Sequence, residues 1–106
     1  MTEPVYALAQ IDVKNQQNYI EKYGLPVFDQ LRAAGGEVLV ATDEIQVLEG
    51  QGHGNWMVLI KFPSAEAADN WYQSEEYAPL KQARIERLSN SGNVLMARGF
   101  DPSLLG

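Results

Sequence analysis

Two stretches of this chain alternate as strands do, yet they are apolar on both faces. In Val5–Val13 the odd positions Val5, Ala7, Ala9, Ile11 and Val13 are all apolar, and the even ones set Tyr6 and Leu8 beside Gln10 and Asp12. In Asn55–Phe62, Trp56, Val58, Ile60 and Phe62 share one face while Met57 and Leu59 take the other. Successive side chains of a strand point to opposite sides of the sheet. An antiparallel sheet with helices on one side normally offers water a polar second face. Here the second face asks for a cover. In a chain of 106 residues the most economical cover is another copy, packed sheet against sheet as a two-fold homodimer. A monomer with a hydrophobic ligand groove on that face is the alternative.

The segments between the strands follow a helical period. Asn15 is a plausible N-cap, and Ile20, Tyr23, Val27, Leu31 and Ala34 fall on one arc at 100° per residue. Gly24 and Pro26 interrupt this run, since proline lacks a backbone donor and crowds the preceding turn. A kinked helix or two collinear pieces is expected, stopped by Gly35-Gly36. Glu37–Thr42 reads as a strand, Ile45–Glu49 as a short extended piece, and Gly50 to Gly54 as a flexible loop. After the Asn55–Phe62 strand, Ser64 caps a helix from Ala65 to about Gln73. Ser74 caps a second, from about Glu75 to Leu88. Asn90-Ser91-Gly92 is read as a turn into a last strand, Asn93–Arg98. The order is β-α-β-β-α-β, the ferredoxin-like sandwich of the α+β class. One domain spans residues 1–106.

Composition narrows the function classes. Without cysteine there is no disulfide framework, thiolate nucleophile or Cys-metal site. Eight Lys and Arg against fourteen Asp and Glu, a net charge of −6, leave no basic stripe, so no nucleic-acid partner is expected. The longest apolar run, Trp56 to Ile60, cannot span a bilayer, and the start of the chain lacks the pattern of a signal peptide. No membrane partner and a cytoplasmic location are the expectations. Nucleotide fingerprints, phosphate loops and His-Glu-x-x-His helices are missing from the sequence, so no cofactor is expected. A single histidine speaks against a protein-only transition-metal site, and no metal is expected.

Leu48-Glu49-Gly50, Phe62-Pro63-Ser64 with Ala67-Ala68, Trp71-Tyr72-Gln73-Ser74-Glu75-Glu76-Tyr77 and Arg84 together resemble the bacterial domain-of-unknown-function family number 1330. Tyr19, Tyr23, Pro26 and Gly35-Gly36 fit the same pattern, which covers nearly the whole chain. The resemblance implies a dimeric α/β-barrel, a fold shared with small cofactor-independent monooxygenases, muconolactone isomerases and haem-degrading enzymes. It names no reaction. The chain departs from the family at Ser74-Glu75-Glu76-Tyr77, where the usual motif has Ser-Pro-Glu-Tyr, and at Trp56-Met57, where an arginine is common.

Arg84 is the most informative polar position. On a helical wheel it sits amid Tyr77, Leu80 and Leu88, inside the apolar stripe. A buried arginine needs a counter-charge, for which Glu49 is the first candidate and Asp12 the second. A buried Arg–Glu pair joining helix to sheet is the plainer expectation. The other reading makes Arg84 a clamp for a substrate carboxylate or enolate, suited by its planar fork. His53, the only histidine, is expected to be a solvated loop residue, or else a general base at a cavity mouth. Trp71 and Tyr77 belong to an aromatic cluster that is core with polar tips. Tyr6 lines a pocket if its side of the first strand looks into the dimer interior. The candidate ligand-binding set is therefore Arg84, Glu49, Tyr77, Trp71, Tyr6 and His53. The leading reading is a homodimer that binds a small, partly apolar organic molecule between sheet and helices. A cofactor-independent oxygenase or isomerase acting on an enolisable substrate is second, and a structural dimer without ligand third.

Overall fold

The computed structural model of the chain describes residues 3–106. Met1 and Thr2, which begin both the expected domain and the segment read against a signal peptide, lie outside the described residues. Four strands, β1 (Val5–Val13), β2 (Glu37–Thr42), β3 (Trp56–Phe62) and β4 (Ser89–Arg98), form one antiparallel sheet in the order β2-β3-β1-β4. Helices cross over between β1 and β2 and between β3 and β4. This is the α+β ferredoxin-like arrangement that the sequence pattern predicts. The odd residues of β1 face the helices, and Val5, Ala7, Ile11 and Val13 are buried there with Ile60 and Phe62 of β3.

The first crossover begins as α1 (Gln16–Tyr19), with the Asn15 side chain accepting the Asn18 N–H at 2.9 Å. The expected kink takes a specific form. Ile20–Gly24 winds as a π-helical turn, in which the Leu25 N–H bonds to the Ile20 carbonyl, and α2 (Leu25–Ala33) continues from it. Pro26 offers no N–H to the Lys22 carbonyl and its ring crowds that carbonyl; the wider turn just before it makes room. Gly35 then adopts φ +86° and the Gly36 N–H reaches back to the Leu31 carbonyl at 2.7 Å, a glycine stop of the expected kind.

Two expectations are corrected. Ile45–Glu49 forms no strand; the chain from 43 to 55 is irregular, because an extended segment without a pairing partner has no ladder to stabilise it. Asn90-Ser91-Gly92 is not a turn. Helix passes into strand at Ser89, whose backbone is already extended, and all three residues belong to β4. A register shift between Asp12 and Val13 absorbs the passage. In the second crossover α3 (Ala65–Tyr72) begins on Ser64 as expected. The later helix is shorter than Glu75–Leu88: it runs as α4 (Ala78–Ala83) and closes in a second π-helical turn, Arg84–Leu88.

The outward face of the sheet carries a continuous aliphatic row. Val40 pairs with Leu59, Leu59 with Leu8, and Leu8 with Leu95. Rows richer in polar groups flank it, with Thr42, Met57, Gln10 and Asn93 on one side and Glu37, Lys61, Tyr6 and Ala97 on the other. Leu95 remains 57% exposed.

The loop before β3 is pinned by Asn55, whose side chain both accepts the Val13 N–H at 2.8 Å and donates to the Val13 carbonyl at 3.0 Å. Gly54 beside it has φ +76°, and a Cβ there would overlap the Ile11 carbonyl. Gly54→Ala is therefore expected to lower unfolding free energy by more than about 1 kcal/mol, measured by urea denaturation; an unchanged midpoint would show that the loop is not held in this way.

Candidate functional site

Between the helices and the inner face of the sheet lies a cavity of about 120 Å³. Its floor is made of small strand residues, Ala7, Ala9, Val38, Ala41 and Val58, and its roof of large helix residues. The roof is an arc of rings. Trp56 meets Tyr19 at 6.3 Å, Tyr19 meets Tyr23 at 5.0 Å, Tyr23 meets Tyr77 at 6.2 Å, Tyr77 meets Trp71 at 4.1 Å and Trp71 meets Phe62 at 5.8 Å, centre to centre. Trp56 and Phe62 are the two ends of β3, so the arc spans the length of that strand. Rings in mutual contact over small residues cannot collapse onto the floor as aliphatic chains would, and the space stays open.

Polar anchors outside the cavity fix the rings. Gln30 on α2 accepts the Trp71 indole N–H at 3.3 Å and donates to the Glu76 carbonyl at 2.9 Å. The Ser74 hydroxyl donates to the Trp71 carbonyl at 2.7 Å and accepts the Tyr77 N–H at 3.1 Å. Tyr77, 1% exposed, then shares a 2.6 Å hydrogen bond between its hydroxyl and that of Tyr23.

Arg84 reaches the same corner from the start of the second π-helical turn. It is only 5% exposed, as its place in the apolar stripe predicts. The expected carboxylate is not there. Glu49 sits exposed on the 43–55 loop, and Asp12 lies on the outward side of β1, where it accepts from Asn90 at 3.4 Å. Among the described residues the one side-chain ion pair joins Arg98 to Glu3. The Arg84 Nε–H is buried without a hydrogen-bond partner. Around the guanidinium stand the phenols of Tyr23, Tyr77 and Tyr19, with Cζ 5.9 Å from the centre of the Tyr23 ring. Burial, the largest influence, disfavours the charge. The phenols oppose it and together hold the Arg84 pKa above its ordinary value, so the cation persists at neutral pH.

Of the six residues proposed from sequence, the cavity brings together Arg84, Tyr77 and Trp71. Glu49, Tyr6 and His53 stand apart from it. Tyr6 is on the outward face of β1, because the cavity lies on the side of Ala7 and Ala9. His53 is half-buried at the end of the sheet, 3.3 Å from the Ser91 hydroxyl. One residue that sequence reasoning did not single out supports Arg84: the buried Ser89 hydroxyl donates to the Arg84 carbonyl at 2.6 Å. Gly92, opposite Ile11 in the sheet, makes room for the Ile11 side chain, since a Cβ there would stand 2.7 Å from Ile11 Cδ1. A glycine inside a strand often marks such a close approach.

A family model for a domain of unknown function (DUF1330) matches residues 4–100. The chain belongs to that family. A search of curated proteins finds no match, so for this DUF1330 chain the remaining comparisons are with solved structures. A protein of unknown function from Rhodopseudomonas palustris superposes with a TM-score of 0.77 at 14% identity, covering 96% of this chain and 86% of the other. A candidate antibiotic biosynthesis monooxygenase from Caulobacter crescentus gives 0.66 at 15% identity, covering 94% and 92%. A similarly named protein from Nitrosomonas europaea gives 0.64 at 10% identity, covering 96% and 95%. At such identities the likeness concerns the fold. Among the described residues no helix is long and apolar enough to cross a membrane, and no group of three or more His, Asp or Glu is placed to hold a metal ion.

The buried phenols set the alkaline limit of the fold. Burial, outweighing Arg84, raises the Tyr19 pKa above its ordinary 10.0, and burial together with Tyr77 raises that of Tyr23 further. Both groups bind their protons more tightly folded than unfolded. Their contribution to stability is thus complete below pH 10 and falls as pH rises beyond it. In an alkaline titration followed by phenolate absorbance and circular dichroism, these two tyrosines should ionise only as the fold is lost. Ionisation of all five tyrosines before any loss of structure would contradict the burial described.

Proposed function

We propose that this protein is a homodimer that binds a small, largely apolar organic molecule in the cavity between its sheet and helices. The observation that carries the reading is the cavity itself. Protein interiors are packed with few voids larger than a water molecule, whereas an apolar cavity of roughly 150 Å³ accepts a benzene ring. A space of about 120 Å³, roofed by rigid rings, suits a ligand built on one six-membered ring or its equivalent.

Homodimerisation is supported by the outward aliphatic row. Four strands contribute to it, and its polar flanks match the core-and-rim pattern of an interface. A two-fold axis through the row would lay Leu8, Leu59 and Leu95 of one protomer on the same residues of its partner.

Binding is favoured over catalysis by the chemistry of the cavity wall. Among the described residues it carries neither carboxylate nor histidine, and His53 lies outside it. Proton transfer there would fall to a tyrosine, and burial makes the Tyr23 phenol a poor acid and its phenolate scarce at neutral pH. An oxygenase or isomerase acting on an enolisable substrate is the second reading, favoured by Arg84, whose cation would stabilise an enolate. The names of the two monooxygenase-like neighbours agree with it.

Two measurements test the proposal. Ala9→Leu should fill the space without lowering the melting temperature, and should abolish binding of benzyl alcohol as read by the fluorescence of Trp56 and Trp71, the two tryptophans of the chain. Wild type that fails to bind such small ring compounds, or a melting temperature that drops sharply in the variant, would count against an open cavity. Sedimentation should give wild type twice the 11.8 kDa chain mass, and Leu95→Asp a mass near that of one chain, since a carboxylate in the row would be buried unpaired. A monomeric wild type would refute the dimer.

A further inference from the structure

The polar corner of the cavity is unbalanced in charge and in hydrogen-bonding capacity. One cation, Arg84, faces the space, and no carboxylate among the described residues lines it. The Arg84 Nε–H is buried with no partner, a costly state for a charged donor. The Tyr23 and Tyr77 hydroxyls share one hydrogen bond, in which one O–H donates and the other O–H is left over. The corner is therefore cationic, with an O–H to give. Everything else that borders the cavity is apolar or aromatic. A ligand complementary to it carries one acceptor-rich anionic group at one end and a flat apolar body at the other.

Resting on the cavity reading above, we infer that the ligand class is a monoanionic acid built on a single ring, with its carboxylate against the Arg84 guanidinium and the Tyr23–Tyr77 pair. The ring lies under the arc of Trp71, Tyr77 and Tyr19. The carboxylate supplies the counter-charge that Glu49 does not, and its oxygens accept what the corner donates. The size limit follows from the cavity volume of about 120 Å³, which excludes fused polycyclic acids and leaves a small inorganic anion without apolar contacts. Two clusters elsewhere offer less. The His53–Ser91 contact lies at the edge of the sheet outside any enclosed space, and the exposed Leu104 and Leu105 at the end of the chain have nothing opposite them.

The test compares charge isosteres on the full-length protein. Benzoate, benzamide and chloride are titrated in turn, with tryptophan fluorescence as the readout. Benzoate should bind at least about tenfold more tightly than benzamide, the difference a charge-assisted hydrogen bond makes in a buried site. Chloride should compete only weakly. Arg84→Met is expected to fold, since a buried charge without a partner gives little stability to lose, and to bind benzoate no better than benzamide. Arg84→Lys keeps the charge but not the planar fork, and should bind benzoate several-fold more weakly than wild type. It takes the place of Arg84→Met if that variant does not fold. If benzamide binds wild type as tightly as benzoate, the anionic class is wrong while the cavity reading stands; if Arg84→Lys binds benzoate unchanged, the guanidinium is not the group that holds the carboxylate and the placement fails. If chloride displaces benzoate at equal concentration, the corner is a simple halide site and the inference fails. If neither ring compound binds, the cavity reading fails and takes this inference with it.

Discussion

Arg84 has left water without gaining a counter-charge, and much of the structure is arranged around that fact. A buried guanidinium next to a carboxylate would be a strut between helix and sheet. This one is met only by phenol oxygens, with Nε unpartnered. Phenols temper the loss of hydration without cancelling the charge. The residues that hold Arg84 in place are themselves well satisfied: Ser89 binds its carbonyl, and Tyr23 and Tyr77 bind one another. The tension is confined to a single group at the edge of an open space. Local departures of this kind are expected at functional or strained sites.

The open space has an equally local cause. The floor is strand, with alanines at 7, 9 and 41; above it stand Tyr19, Tyr23, Tyr77 and Trp71, each ring against the next. Small residues beneath large rigid ones leave a volume that neither layer can fill. The two π-helical turns belong to the same design. One carries Tyr23 and begins directly after Tyr19; the other begins at Arg84. Such turns are uncommon and recur near functional sites. The first traces to Pro26. The second ends where helix passes straight into strand at Ser89.

Much of this was legible beforehand because period decides it. Alternation located β1 to its ends and β3 to within one residue, and the apolar arc of the first crossover ran through the break at Gly24 and Pro26 as the structure does. The wheel placed Arg84 inside the stripe. What the pattern could not supply was the other half of each pairing. Glu49 was the natural counter-charge by motif, but whether a loop folds back onto a helix depends on contacts far apart in sequence, and the 43–55 loop does not. Tyr6 lines a pocket only if its face of β1 looks into a dimer interior, and parity states only that Tyr6 and Ala7 differ in face, not which face is covered. Asn90-Ser91-Gly92 has the composition of a turn; in place, Gly92 leaves room for the Ile11 side chain across the sheet instead. The Tyr23–Tyr77 bond, between residues 54 positions apart, left no local trace.

Crystallography of the protein as purified addresses the central claim most directly, because the state of the cavity beside Arg84 can be seen. The account predicts an open cavity under the aromatic arc, holding ring-sized density whose polar end lies within hydrogen-bond distance of the Arg84 guanidinium. A collapsed cavity, with the guanidinium paired to a carboxylate of the chain, would contradict it.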